Sequence, residues 1–211
     1  MLDWDQTTRD LLSKHGMQYH ATNPDAVNSD KAYFGRAKDV YHQEAFSEIN
    51  NPDSKLRTYG IIKQSTGREE YLDQIRNTKR RQKLTRFRLS NHKLMIGIGR
   101  HMRPKLDREE RICQICEKAV EDEVHLLVAC KFYETLRKPM CDLCEEMRPQ
   151  FKYYSDKEKF IFIMTTPLLM HHVSKFLESA LDIRENRLEA KAAIERILDK
   201  MAKSNPDALL S

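Results

Sequence analysis

Apolar residues recur along this chain mostly at helical spacing, and glycine, proline and asparagine mark where the runs stop. Trp4, Leu11 and Leu12 share one side of a first predicted helix that Gly16 is placed to end. A loop is expected around Asn23-Pro24-Asp25. Tyr33, Phe34, Ala37, Val40, Tyr41 and Ala45 then mark a second helix, closed by the turn residues Asn50-Asn51-Pro52-Asp53. Residues 68–77 are read as a further helix, Gly97 and Gly99 as breakers, and Pro139 as interrupting a helix that reaches Met147. Two later stripes, Val173, Phe176, Leu177, Ala180 and Leu181, then Ile194, Ile197, Leu198 and Met201, both read as core-facing. They predict a C-terminal pair of helices joined near Glu185, with a loose tail from Asn205-Pro206. The expected organisation is a helical region over 1–75, a central region over 76–148, C-terminal helices over 149–204 and a tail over 205–211.

Composition agrees with a mainly α protein: 211 residues, 33% charged, 40% hydrophobic and only 6 glycines. The longest mostly apolar run, Phe160 to Met170, holds Thr165, Thr166 and Pro167 and falls short of the roughly 18 residues a bilayer span needs, so no membrane partner is expected. Met1 is followed by Asp3 and Asp5 rather than by a basic start and an apolar stretch. An intracellular location, nuclear or cytoplasmic, is the expectation.

Charge is spread unevenly. Between Arg76 and Lys105 stand eleven cations, namely Arg76, Lys79, Arg80, Arg81, Lys83, Arg86, Arg88, Lys93, Arg100, Arg103 and Lys105, and no Asp or Glu. The whole chain carries only +5, so the remainder is net acidic. A basic block in an acidic chain is how a phosphate-binding surface looks in sequence, although a solvated helix face looks the same.

All five cysteines fall between Cys113 and Cys144. Such clustering suits a metal better than a disulfide framework. Cys113, Cys116, His125 and Cys130 spell C-x2-C-x8-H-x4-C, a CCHC-type knuckle in which four soft or borderline ligands surround one tetrahedral zinc. Four protein ligands leave no position for a catalytic water, so the zinc would be structural. Cys141 and Cys144 form a second C-x2-C, and a set of Cys113, Cys116, Cys141 and Cys144 stands as the alternative, as does a chain without metal. Against that alternative, Cys141, Cys144 and Met147 share one side of a predicted helix, as ordinary buried residues do.

Other residues carry weaker signals. His92, His101, His171 and His172 read as surface, boundary or supporting histidines, and Phe87 between Arg86 and Arg88 reads as core before it reads as a base-stacking ring. Tyr71-Leu72-Asp73-Gln74 offers a single carboxylate where a polymerase needs a pair. No phosphate-cradling glycine loop and no G-x-S-x-G elbow occurs. No enzymatic activity is expected.

The run from Leu84 to Leu94, with Ile96 and Gly99-Arg100-His101, followed by Arg111-Ile112-Cys113, Cys116, Glu121-Asp122-Glu123, His125-Leu126-Leu127, Cys130, Tyr133 and Leu136-Arg137, resembles the C-terminal zinc-binding region of reverse transcriptases from non-long-terminal-repeat retrotransposons. Trp4, Gly16, Asp39, Ile49, Ser54-Lys55-Leu56, Tyr59, Lys63 and Tyr71-Leu72 are similar to the segment preceding it. The resemblance implies a fragment lacking the polymerase and endonuclease domains, binding RNA or DNA just before and within the knuckle. Glu121 to Glu123 would then cap the helix presenting His125. The expected phosphate contacts are Arg80, Arg81, Lys83, Arg86, Arg88 and Lys93. The second expectation is a helical module in which zinc is purely structural and the C-terminal helices receive a protein partner.

Overall fold

A computed structural model describes residues 4–19, 29–51, 54, 56–63 and 67–204. The expected loop at Asn23-Pro24-Asp25, the turn at Pro52-Asp53 and the tail from Asn205 lie outside the described residues, as do the side chains of Trp4 and Met201. The chain divides into two compact units, Met1–Gly60 and Ile61–Ser211. Among the described residues it is mostly helical, with no strand and a single antiparallel bridge between Ile112 and Val120. None of the described helices is by itself long and apolar enough to cross a bilayer.

In the first unit, α1 (Trp4–Lys14) stops as expected at Gly16, whose φ of +68° is open to glycine at little cost. α2 (Ser29–Asn50) covers the second predicted run. Arg36 Nε donates to the carbonyl of His15 at 3.1 Å, and the His15 and Tyr33 rings meet edge to face. The aromatic stripe on α2 is not all core, because Phe34 and Tyr41 remain exposed.

α3 (Arg57–Ile62) contains the boundary between the units, and the second unit holds the rest. Only α4 (Tyr71–Gln74) forms within the helix predicted for residues 68–77. α5 (Thr78–Arg88) begins where the Asn77 side chain accepts from Arg80 N at 3.0 Å, and it buries Leu84 and Phe87 completely. α6 (Met95–His101) runs straight through Gly97 and Gly99, which were expected to break it. A Cβ on Gly99 would lie 2.7 Å from Arg111 Cγ, so this glycine is there for close approach.

α7 (Glu134–Met147) likewise passes through Pro139 instead of stopping there. α8 (Asp156–Thr165) starts at a capping box in which Ser155 and Glu158 satisfy each other's backbone N–H groups.

The final helix, α9 (Met170–Ser204), corrects the expected C-terminal pair: the chain does not turn near Glu185. The reason is local, since neither Gly nor Pro occurs between Met170 and Ser204 and the stretch is rich in Ala, Leu, Glu, Lys and Arg. The first stripe does face the core, with Val173, Phe176, Leu177 and Ala180 buried against α5, α7 and α8. The second does not. Ile194, Ile197 and Leu198 are 58%, 57% and 59% exposed.

Candidate metal centre

Cys113 and Cys116 sit on a tight loop. It is closed at its base by the Ile112–Val120 bridge, by Cys113 N donating to Ala119 O at 2.8 Å, and by Glu117 N donating back to Cys113 O at 2.8 Å. Glu117 takes a positive φ of 55° to complete the turn. The other half of the site is a single π-helical turn, His125–Ala129. Cys130 N reaches back five residues to the carbonyl of His125 at 2.7 Å, so the wide turn brings residues 125 and 130 back to the same side. Asp122 Oδ1 accepts from His125 N at 2.9 Å, and this one residue of the acidic trio does the helix-start capping expected of Glu121 to Glu123.

The ligand atoms of Cys113, Cys116, His125 and Cys130 all lie within 4.8 Å of one another. Zinc with Zn–S near 2.3 Å and Zn–N near 2.1 Å requires neighbouring ligand atoms roughly 3.5–3.8 Å apart. The group therefore fits a single tetrahedral ion, with His125 offering Nε2, which stands 3.3 Å from Cys116 Sγ. Burial pushes the Cys113 thiol up to about 12, raises Cys130 and lowers His125. A cation placed between them reverses that preference for the thiols, since coordination deprotonates them, and the neutral imidazole is already the ligating form. Cys141 and Cys144 lie on α7 outside the cluster, with Cys144 fully buried.

Buried polar residues around the cluster tie it to the helices. Glu121 is wholly buried. Arg184 Nε and an Nη reach its two carboxylate oxygens at 2.7 Å each, and Met95 N donates to one of them at 2.8 Å. The Cys113 thiol faces the same carboxylate at 3.6 Å. His92 and Glu123 form a second buried contact at 2.9 Å. Burial alone would raise the Glu123 carboxyl, but the hydrogen bond and charge of His92 bring it down to about 2. Arg111 donates to the carbonyls of Ile96 and Leu106, and buried Arg137 donates to that of Cys130. The sequence held a signal for Arg184 that went unread: it continues the spacing of Val173, Leu177 and Ala180, so a cation sits on an apolar stripe.

The expected phosphate contacts do not form one free surface. Arg80 pairs with Glu178 at 2.7 Å, Lys83 bonds Asp182, and Lys93 pairs with Glu185 at 2.8 Å, which fastens α5 and the following turn to α9. Arg81 donates to the carbonyls of Leu72 and Ile75. Arg88 corrects its expectation outright: it is buried, lies over the Tyr71 ring, and donates to Met164 O and Glu69. Phe87 is core, not a stacking platform. Of the six, only Arg86 has no acidic or carbonyl partner among the described residues. Arg76, Arg100, Arg103 and Lys105 also stand without an acidic partner there, and all but half-buried Arg100 are exposed.

Compared with known proteins, the chain matches no family model, no curated protein and no solved structure.

Proposed function

We propose that this chain is a nonenzymatic nucleic-acid-binding module whose fold is held by one structural zinc at Cys113, Cys116, His125 and Cys130. The observation that carries the reading is the set of cations without an acidic partner among the described residues, Arg76, Arg86, Arg100, Arg103 and Lys105, within a stretch that holds no acid. Packing against α9 consumes the neighbouring cations, yet these five stay available to phosphates. Zinc is favoured by the chemistry of the donor set, three thiolates and an imidazole at tetrahedral separation. The resemblance to the zinc-binding region of retrotransposon reverse transcriptases supports the same partner, RNA or DNA, and the same absence of catalysis.

The test is oligonucleotide affinity across a salt series. Log affinity should fall against log salt with a slope of about −0.7 to −0.9 per phosphate contact. The triple variant Arg100→Ala, Arg103→Ala, Lys105→Ala should flatten the slope by roughly one for each cation that contacts a phosphate. A flat response in the unmodified chain defeats the proposal. The second reading, a protein-interaction module, is favoured by one observation, the exposed stripe of Ile194, Ile197 and Leu198 on α9.

A further inference from the structure

Between α5, the turn that follows it and α9 lies a recess of about 540 Å³. Its walls bring together residues distant in sequence: Arg86 and Asn91 on one side, Ile98 and Gln114 at the knuckle end, Leu188 and Arg196 along α9. We propose that this recess takes an unpaired nucleotide of a single-stranded nucleic acid, a reading that rests on the nucleic-acid-binding function above and specifies its substrate.

Three features argue for it. The first is charge. Of the acids lining the recess, Asp182 is matched by Lys83 and Glu185 by Lys93, which leaves Arg86 and Arg196 against Glu189 alone. Neither guanidinium has a partner among the described residues, so each is free to meet a phosphate. The second is the lining itself: Ile98 and Leu188 provide apolar surface on which the face of a base can rest, as duplex bases, already stacked on each other, cannot. The third is hydrogen bonding. Arg184 occupies the Gln114 carbonyl oxygen at 3.1 Å, which leaves the Gln114 amide N–H groups as donors, and the exposed Asn91 amide offers both a donor and an acceptor. Such groups read the exposed edge of an unpaired base. The recess runs along α9 from Leu181 to Arg196, which spans roughly 22 Å at 1.5 Å per residue. That length accommodates a strand, whereas a duplex would rest across the mouth without entering.

The experiment uses the zinc-loaded full chain and a labelled mixed-sequence oligonucleotide of about twelve nucleotides, within the range of single-strand footprints. It is offered as RNA, as DNA and as the corresponding duplex, and anisotropy gives each affinity. The single strands should bind more tightly than the duplex. Asn91→Ala, which changes no charge, should weaken single-strand binding about fivefold and leave the duplex unchanged. The pair Arg86→Ala, Arg196→Ala should reduce the single-strand salt slope by about two. Both variants alter exposed side chains, and retained zinc verifies their fold. Photocrosslinks from a thio-substituted base should map to peptides bearing Asn91, Ile98 or Leu188. Equal affinity for duplex and single strand, with Asn91→Ala neutral, overturns the recess while nucleic-acid binding stands. Displacement of the strand by a free nucleoside monophosphate at comparable concentration also overturns it, in favour of a small-ligand site. No binding to any of the three defeats the functional reading as well.

Discussion

Arg184 holds both carboxylate oxygens of Glu121 at 2.7 Å, and both side chains are buried, so the last helix grips the loop that carries Cys113. Removing one partner strands a charge in the interior. Arg184→Met should therefore destabilise the metal-loaded chain by about 3–5 kcal/mol, read from denaturant midpoints. Adding Glu121→Gln, which keeps an acceptor for Met95 N, should recover part of that loss. If the two effects simply add, the pair is not coupled.

Metal content follows the four-residue cluster. The unmodified chain should carry about one zinc per molecule, while His125→Ala with Cys130→Ser should carry none. Cys141→Ala with Cys144→Ala should leave the stoichiometry unchanged, and zinc lost from this second variant would move the site to the rival cysteine pair. Chelation should loosen the segment from Cys113 to Cys130 first, visible as faster amide exchange there.

Thiol chemistry separates the same groups. Burial pushes Cys144 up to about 12 and also raises Cys141. Only the thiolate reacts, and the deprotonated fraction of a group titrating near 12 stays negligible below pH 9. Iodoacetamide should therefore leave Cys144 unmodified from pH 7 to 9 in the folded, metal-loaded chain. Mass spectrometry checks this, and rapid labelling of Cys144 at pH 8 would contradict its burial.

The two glycines of α6 should respond with opposite signs. A methyl at Gly99 meets Arg111 Cγ at 2.7 Å, so Gly99→Ala is expected to lose about 1–3 kcal/mol through overpacking. At Gly97 the nearest atom is His92 O at 3.4 Å, and Gly97→Ala should be neutral or gain up to about 1 kcal/mol from helix propensity. Thermal unfolding of the two variants side by side decides it.

The halves of α9 should differ as sharply. Leu177 is completely buried, and Leu177→Ala should lose about 2–5 kcal/mol. Ile197 is more than half exposed, and Ile197→Ala should change the stability of the isolated chain by under about 0.5 kcal/mol.

These contrasts mark what the sequence made legible. The helical class, the stop at Gly16 and the grouping of Cys113, Cys116, His125 and Cys130 all follow from local spacing, and each is present. Local rules failed where tertiary contact outweighed them. Gly97, Gly99 and Pro139 read as breakers, yet they lie inside helices anchored by buried residues, Met95 and Ile96 in one and Arg137, Met140 and Cys144 in the other. Periodicity assigned Ile194 to Leu198 to a core because it cannot tell an apolar face that is covered from one that is not. The pairing of three cations of the basic block was hidden for a related reason: Glu178, Asp182 and Glu185, which take up Arg80, Lys83 and Lys93, come from about a hundred residues further along the chain. No local window contains both halves of those pairs.

The wide turn between His125 and Cys130 makes the four-residue interval between these ligands a gauge of length. An ordinary α-helical turn would advance Cys130 by about 500° from His125, or some 140° past a full circle, and aim its sulfur away from the other ligands. The single π turn absorbs that excess. Inserting one residue between the two ligands would set them six apart, about 600° around an ordinary helix and some 240° past a full circle, and leave the cluster short of a thiolate, whereas deleting one would give a four-residue step that an ordinary helix already brings to within about 40° of one face. In this stretch it is the spacing of the ligands that a bound ion would require.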